Sequence, residues 1–206
     1  MKKTLVFIAL MLITTLFISA KNFRFTVYCD YFSAADTTYK EEYGGRKIFP
    51  EAKLSFRIKG HFYLWGSGGF LPASYKWDEW SNKGVVNPDI EGKNSSQKFF
   101  LSGGLGYWVG YFDKSELAVK FELGACSTRS TVKITTDNTT TNQNIRSEKS
   151  TEWGIGVRGN LGVTYGLLKS IFAEASIGYL YVWNKRDEEY INDGGLRLAI
   201  GLGVKF

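Results

Sequence analysis

The stretch GGLRLAIGLGVKF, from Gly194 to Phe206, alternates strictly between apolar side chains and polar or small ones. The even positions are apolar (Leu196, Leu198, Ile200, Leu202, Val204 and Phe206), and the odd ones are Arg197, Ala199, Gly201, Gly203 and Lys205. Successive side chains of a β-strand point to opposite faces, so this alternation predicts a strand with one apolar and one polar face. The stretch shows no helical period.

The same alternation recurs earlier in the chain and predicts eight strands in all. The seven earlier segments lie at residues 23–31, 52–59, 62–71, 99–111, 117–126, 153–165 and 171–181. In the third segment, Phe62 to Leu71, aromatic residues and glycines occupy both parities, so its facing stays open.

The connections between these segments alternate in length. Short ones are predicted near Lys59-Gly60, at Asp113-Lys114-Ser115 and from Gly166 to Ser170, and long polar ones at about 34–51, 72–97, 129–150 and 184–193. Three short connections between four long ones predict an up-and-down meander with both termini on the short-turn side. Bacterial outer-membrane barrels have this arrangement, with short periplasmic turns and long outer loops.

The first twenty residues have the layout of a cleavable signal peptide. Lys2 and Lys3 precede an apolar run from Leu5 to Ile18, and Ser19-Ala20 offers small residues for cleavage. The run is too short for a comfortable transmembrane helix, which needs about 20 residues. We predict a signal peptide at 1–20 and a single barrel domain at 21–206; an uncleaved helical anchor is the alternative.

Composition excludes several other classes of protein. The 206 residues are 44% hydrophobic and include only 3 Pro and 2 Cys, so the chain is neither disordered, collagen-like nor a disulfide-stapled mini-protein. Without the two leader lysines, 24 of the 26 basic residues remain against 20 acidic ones, and the net charge falls from +6 to +4. The charges form no long basic run, so no nucleic-acid partner is expected.

The polar face distinguishes a membrane barrel from a soluble barrel or a β-sandwich. A face in contact with water should be rich in Lys, Glu and Thr, whereas this one is rich in Gly with single charges between. Glycine weakens strands, so its repetition predicts a narrow lumen crowded by large side chains. Aromatic residues near the ends of the apolar faces predict interfacial girdles: Tyr31, Tyr107, Tyr111, Trp153, Tyr165, Tyr179 and Tyr181.

The leader, the eight amphipathic segments and the ending Gly194 to Phe206 resemble the small outer-membrane β-barrel family of OmpA, OmpX and the opacity proteins. The resemblance implies an eight-stranded antiparallel up-and-down transmembrane β-barrel in the outer membrane, with periplasmic termini. Leu202, Val204 and Phe206 are similar to the signal that the barrel-assembly machinery reads in this family. Outer-membrane lipid and lipopolysaccharide are further expected partners. We expect no wall-anchoring role, which belongs to an additional domain of longer family members.

The charged residues of the polar face predict an ion-pair network inside the barrel. They are Arg57, Lys120, Glu122, Arg158, Glu174 and Arg197. Isolated charges in a narrow lumen are costly, so opposite charges should pair and plug the barrel. Glu122 and Arg158 fall at similar depth on neighbouring segments, and Glu174 lies between the strands of Arg158 and Arg197. A selective pore lining is the rival interpretation.

Catalytic and metal sites are not expected. The single histidine, His61, follows the first short turn, at the wrong end for an outer-leaflet lipid-modifying enzyme, whose nucleophile needs a nearby base. Cys29 and Cys126 have opposite facing on distant strands, which predicts two free thiols. No ligand spacing indicates a metal, and no cofactor is expected.

The outer loops are the candidate contact regions. Tyr75, Trp77 and Trp80 lie among mixed charges, where they could hold a host or matrix ligand or dip into the lipopolysaccharide boundary. The sequence therefore predicts a non-enzymatic outer-membrane protein with a structural or surface-interaction, adhesin-like role. A small channel or hydrophobic-ligand conduit is the alternative.

Overall fold

The computed structural model describes residues 23–35, 46–77, 80–82, 85–87, 90–109, 117–138, 143–186, 189–192 and 194–206. The predicted leader at 1–20 and the predicted short connection at Asp113-Lys114-Ser115 lie outside these residues, and both stay predictions.

The strands of the described residues follow the alternating segments. In chain order they are β1 (Phe23–Ala34), β2 (Arg46–Lys59), β3 (Phe62–Trp77), β4 (Trp80–Asn82), β5 (Val85–Asn87), β6 (Ile90–Val109), β7 (Leu117–Asn138), β8 (Gln143–Gly166), β9 (Ile171–Arg186), β10 (Glu189–Asn192) and β11 (Gly195–Lys205). No helix in this described part is long and apolar enough to cross a membrane.

Eight of the described strands close into an antiparallel barrel. Around the sheet they run β1, β2, β3, β6, β7, β8, β9 and β11, each pairing with the next. The last strand returns to the first, with Leu202 opposite Val27, so the barrel has no free edge at this level. The predicted eight-stranded up-and-down barrel is confirmed. The pair β4 and β5 and the short β10 lie outside this ring.

The two ends of the barrel differ. The turn end carries the tight turn at Gly60, whose φ is 58°, and the connection at residues 167–170. The first and last described residues meet there, because the Phe206 amide donates a hydrogen bond to the Phe23 carbonyl at 3.0 Å. We call the opposite end the hairpin end.

The predicted long loops at the hairpin end are largely wrong. Strand β3 continues to Trp77 and pairs with β6, while β7 and β8 stay paired from Arg129 opposite Trp153 to Asn138 opposite Gln143. Ladder hydrogen bonds join backbone groups and need no apolar face, and the Thr, Val and Ile residues of this region favour strands. With 20 to 24 residues, β6, β7 and β8 are longer than the roughly 9–11 residues that suffice to cross a bilayer.

The alternation predicted from sequence gives the barrel its two surfaces. Along β11, buried and exposed residues alternate at every position from Gly195 to Val204. The third strand, whose facing the sequence left open, turns Tyr63, Trp65 and Ser67 inward and Phe62 and Leu64 outward.

Glycines make room for the large inward side chains. A Cβ atom on Gly106 would lie 2.1 Å from Cζ of the Tyr63 ring, which is directly opposite in the register. A Cβ atom on Gly124 would lie 2.8 Å from the Trp65 ring. The glycine-rich polar face therefore follows from crowding in a narrow lumen.

Candidate functional site: a filled lumen inside an apolar wall

The middle of the lumen holds a quartet of two lysines and two glutamates, which we call the lysine quartet: Lys53, Lys120, Glu122 and Glu174. Lys53 Nζ lies 2.8 Å from Oε1 of both Glu122 and Glu174. Lys120 Nζ lies 3.1 Å from Glu122 Oε1 and also contacts Glu174. Each lysine therefore touches both carboxylates, and the four charges sum to zero.

Neutral side chains complete the bonding of the two glutamates. The Tyr63 hydroxyl donates to Glu122 Oε1 at 2.8 Å, and the Tyr28 hydroxyl donates to Glu174. Asn160 Nδ2 donates to Glu122 Oε2 at 3.1 Å. Glu122 thus accepts from four donors, two of them charged.

A second set, the arginine quartet, lies nearer the hairpin end and consists of Asp30, Glu51, Arg158 and Arg197. Arg158 Nη1 donates to Glu51 Oε1 at 2.8 Å, and Arg197 Nη2 contacts Glu51 Oε2. Arg197 Nη2 also lies 2.7 Å from Asp30 Oδ1. This quartet is neutral as well. Arg158 also donates to Ser67 Oγ at 2.9 Å.

Asn160 joins the two quartets. Besides donating to Glu122, its Oδ1 accepts a hydrogen bond from Arg158 Nε at 3.3 Å. All eight charged side chains are buried. Because removing charges from water is costly unless they are paired and hydrogen-bonded, a connected neutral network is the arrangement that such a lumen requires.

Bulky side chains fill the lumen on either side of the quartets. Towards the hairpin end lies a buried apolar cluster of Phe32, Ala34, Phe49, Leu71 and Phe100. Towards the turn end, the Arg24 guanidinium stacks over Trp108, with 4.1 Å between its Cζ and the ring centroid. The described lumen is thus layered, with packed rings beyond each end of a polar centre.

The structure separates one sequence-predicted lumen residue from the other five. Lys120, Glu122, Arg158, Glu174 and Arg197 all point into the lumen and belong to the two quartets. Arg57, in contrast, is half-buried at the turn end, where its Nε donates to the Gly60 carbonyl at 2.7 Å. Glu122 and Arg158 lie near each other, as expected, but they are joined by Asn160, which hydrogen-bonds to both. Their ion pairs are formed with two residues of β2: Glu122 pairs with Lys53, and Arg158 pairs with Glu51.

Sequence reasoning missed Asp30, Glu51 and Lys53 as network members. Asp30 and Lys53 lie on the polar parity of their strands, so the alternation contained the signal. Glu51 precedes the predicted start of the second strand at Ala52, whereas the strand begins at Arg46. Extending the polar parity of β2 by one position would have included it.

The outer wall is apolar and carries the aromatic residues predicted as girdles. Tyr107, Trp153, Tyr165, Tyr179 and Tyr181 are exposed on it and Tyr31 is half-exposed, while Tyr111 lies outside the described residues. Trp183 adds a further ring, 4.8 Å from that of Tyr181. The alternation therefore orients these rings as expected.

The structure also places the two cysteines and the single histidine of the sequence. Both cysteines are free, with Cys29 exposed outside and Cys126 buried inside, as their parities predicted. His61 lies at the turn end, with its ring 5.6 Å from that of Tyr107. Among the described residues, no three His, Cys, Asp or Glu side chains are grouped to hold a metal ion.

The candidate assembly and loop residues are placed only in part. Leu202, Val204 and Phe206 face outward on the wall. The backbones of Tyr75 and Trp77 belong to β3, and Trp80 begins β4, but their side chains lie outside the described part of the structure. Their predicted contacts stay predictions.

Comparison with known proteins supports the fold. No protein-family model and no curated protein matches the chain. Among solved structures, a major outer membrane protein from Thermus thermophilus matches with a TM-score of 0.58 and 11% identity, over 89% of this chain and 99% of that one. Neisserial surface protein A matches with 0.49 and 16%, over 89% and 97%, and Ail of Yersinia pestis with 0.48 and 12%, over 90% and 99%. The match to the Thermus thermophilus protein confirms the resemblance to outer-membrane barrels at the level of the fold.

Proposed function

We propose that this protein is an integral outer-membrane barrel with a non-enzymatic role, structural or in surface interaction. The turn end and both termini face the periplasm in this proposal, and the paired strands of the hairpin end face outward. The closed eight-stranded barrel, its apolar outer wall and its filled polar lumen support this proposal.

The observation that carries the proposal is the inversion of burial. Leu123 and Ile200 are 70% and 72% exposed on the wall, whereas Lys120 and Glu122 are 1% and 5% exposed inside. A continuous apolar band of this extent is unfavourable in water and favourable against acyl chains. A closed barrel also satisfies its backbone hydrogen bonds within the membrane.

We further propose that the lumen is plugged and does not conduct ions. The two neutral quartets and the packed rings beyond them support a plug over the alternative of a small channel or conduit. Purified folded protein in planar bilayers is expected to give no steady single-channel conductance. A sustained, reproducible unitary conductance at moderate voltage would contradict the plug while leaving the membrane barrel intact.

We propose the surface role because β6, β7 and β8 are long enough to project beyond the bilayer at the hairpin end. Bacteria that display the protein are expected to lose adhesion to host cells or matrix when one of the outer segments between barrel strands (36–45, 78–89, 130–152 or 184–193) is replaced by a short turn. Replacement of residues 167–170 at the turn end, which should face the periplasm, is the control and should change nothing. Unchanged adhesion in all four variants would contradict the surface role and favour a structural one.

Two partners remain part of the proposal. The outward row of Leu202, Val204 and Phe206 supports recognition by the barrel-assembly machinery, and the apolar wall supports contact with lipid and lipopolysaccharide. An outer-leaflet lipid-modifying enzyme is disfavoured because His61 lies at the turn end, away from the leaflet on which such an enzyme would act.

A further inference from the structure

Three cations form a column on the outward face of β7 and β8. Arg129, Lys133 and Lys149 share the outward parity of the wall residues on these strands, and all three are exposed. In the register, Arg129 lies opposite Trp153, and Lys133 lies directly opposite Lys149. We call these three residues the cation column.

Arg129, the member of the column nearest the turn end, marks the edge of the apolar wall that faces the hairpin end. Arg129 lies between Phe99 on β6 and Trp153 on β8, and its Cζ is 5.3 Å from the Trp153 ring centroid. Tryptophan and arginine both favour the boundary between acyl chains and headgroups. Lys133 lies four residues farther along β7, a distance of roughly 13 Å along the strand, and Lys149 is opposite it on β8.

Among the described side chains, no acidic one lies on the outward face between Arg129 and the two lysines. The outward positions between Arg129 and the lysines carry Gln97, Thr131 and Thr151, and Ser95 flanks Lys133. Glu148 and Glu152 have the opposite parity on β8, and Glu152 accepts a hydrogen bond from Asn184 at 3.0 Å. Like charges directly opposite one another destabilise a strand pair, so Lys133 and Lys149 carry a cost that an anion would remove.

We propose that the cation column binds the phosphorylated headgroup of a lipopolysaccharide-type glycolipid, whose acyl chains lie against the wall below. Charge complementarity and continuity with the apolar wall at Phe99, Trp153 and Ile155 carry this inference. The length of the column favours a headgroup with several anionic groups over a phospholipid with one phosphate. The site rests on the proposed function, because it requires this end to face the outer leaflet.

The test uses the full barrel, folded in detergent, with equal amounts of bisphosphorylated lipid A and its dephosphorylated form. Native mass spectrometry measures the ratio of the two lipids retained. The double variant Lys133→Gln with Lys149→Gln is expected to reduce the preference for the phosphorylated form at least about fivefold, the size of about one surface charge acting on an anionic lipid. The matched control is Lys59→Gln with Lys169→Gln, which removes the same charge at the turn end and should change the preference less than about twofold.

Each other outcome overturns the proposal. An unchanged preference in the Lys133 and Lys149 variant shows that the column does not bind the phosphates. Equal losses in both double variants show a general effect of net charge, and displacement of lipid A by an equal amount of phosphatidylglycerol shows a phospholipid site. Retained heat-modifiable gel migration in all variants keeps these failures separate from a failure of the proposed membrane barrel, in which the wild-type protein would not insert into vesicles.

Discussion

Glu122→Gln is expected to destabilise the folded barrel by about 3–5 kcal/mol, the range for removing one partner from a buried ion pair. Glu122 accepts from Lys53, Lys120, Tyr63 and Asn160, and it is buried. A neutral amide leaves two buried lysines with Glu174 as the remaining carboxylate of the quartet. Reversible urea unfolding in lipid vesicles, followed by tryptophan fluorescence, measures the change.

Two further variants show whether charge is the cause. Glu148→Gln removes a carboxylate from an exposed position of β8 and should change stability by less than about 0.5 kcal/mol. Adding Lys120→Gln to Glu122→Gln restores a neutral quartet, so the double variant should lose less stability than the two single effects added together. A Glu122→Gln effect as small as that of Glu148→Gln would mean that water in the lumen screens these charges.

Leu123→Arg is expected to cost about 2–4 kcal/mol in a bilayer, the range for arginine at the midplane on the lipid face of a barrel. Leu123 lies on β7 midway between Arg129, in the row of Trp153, and Leu117, in the row of Tyr165. The same urea experiment in vesicles measures the loss, because the folded state must place the guanidinium among acyl chains while the unfolded chain leaves it in water.

The control for this variant makes the same chemical change at the edge of the wall. Leu168 is exposed in the connection at the turn end, where Leu168→Arg should cost about 0–1 kcal/mol. A neutral or stabilising Leu123→Arg, together with a folded protein that stays dissolved without any amphiphile, would show that the wall faces water. The proposed location would then fail, whatever the lumen contains.

The facing of most strands could be predicted because it is a local property. Side chains alternate with a period of two, so Ile200 and Arg197 are assigned to opposite faces without knowledge of any other strand. The third strand resisted this reasoning because Phe62, Tyr63, Leu64 and Trp65 are all apolar or aromatic. The contacts that turn Tyr63 inward are made with other strands. Its hydroxyl bonds to Glu122 on β7, and its ring lies against Gly106 on β6.

The lengths of the strands at the hairpin end were underestimated because apolar patterning ends where the apolar wall ends. Beyond Arg129 the outward positions of β7 become polar, although the ladder with β8 continues to Asn138. The hydropathy pattern indicates whether a side chain has apolar or aqueous surroundings. Strand pairing, in contrast, depends on hydrogen bonds with the backbone of the neighbouring strand. A polar strand and a polar loop therefore look alike in one sequence.

Except on β3 and at Arg57, the sequence alone determined which side chains face the lumen. It also required that opposite charges there compensate, since burial of a lone charge is costly whatever its neighbours. Only the tertiary structure decided which charges meet. Closure of β11 onto β1 sets the stagger of all eight strands, and this stagger brings Lys53 to Glu174 and Arg158 to Glu51 across the lumen. Periodicity within a strand contains no information about that stagger, so the partners could not be read from the residues one strand at a time.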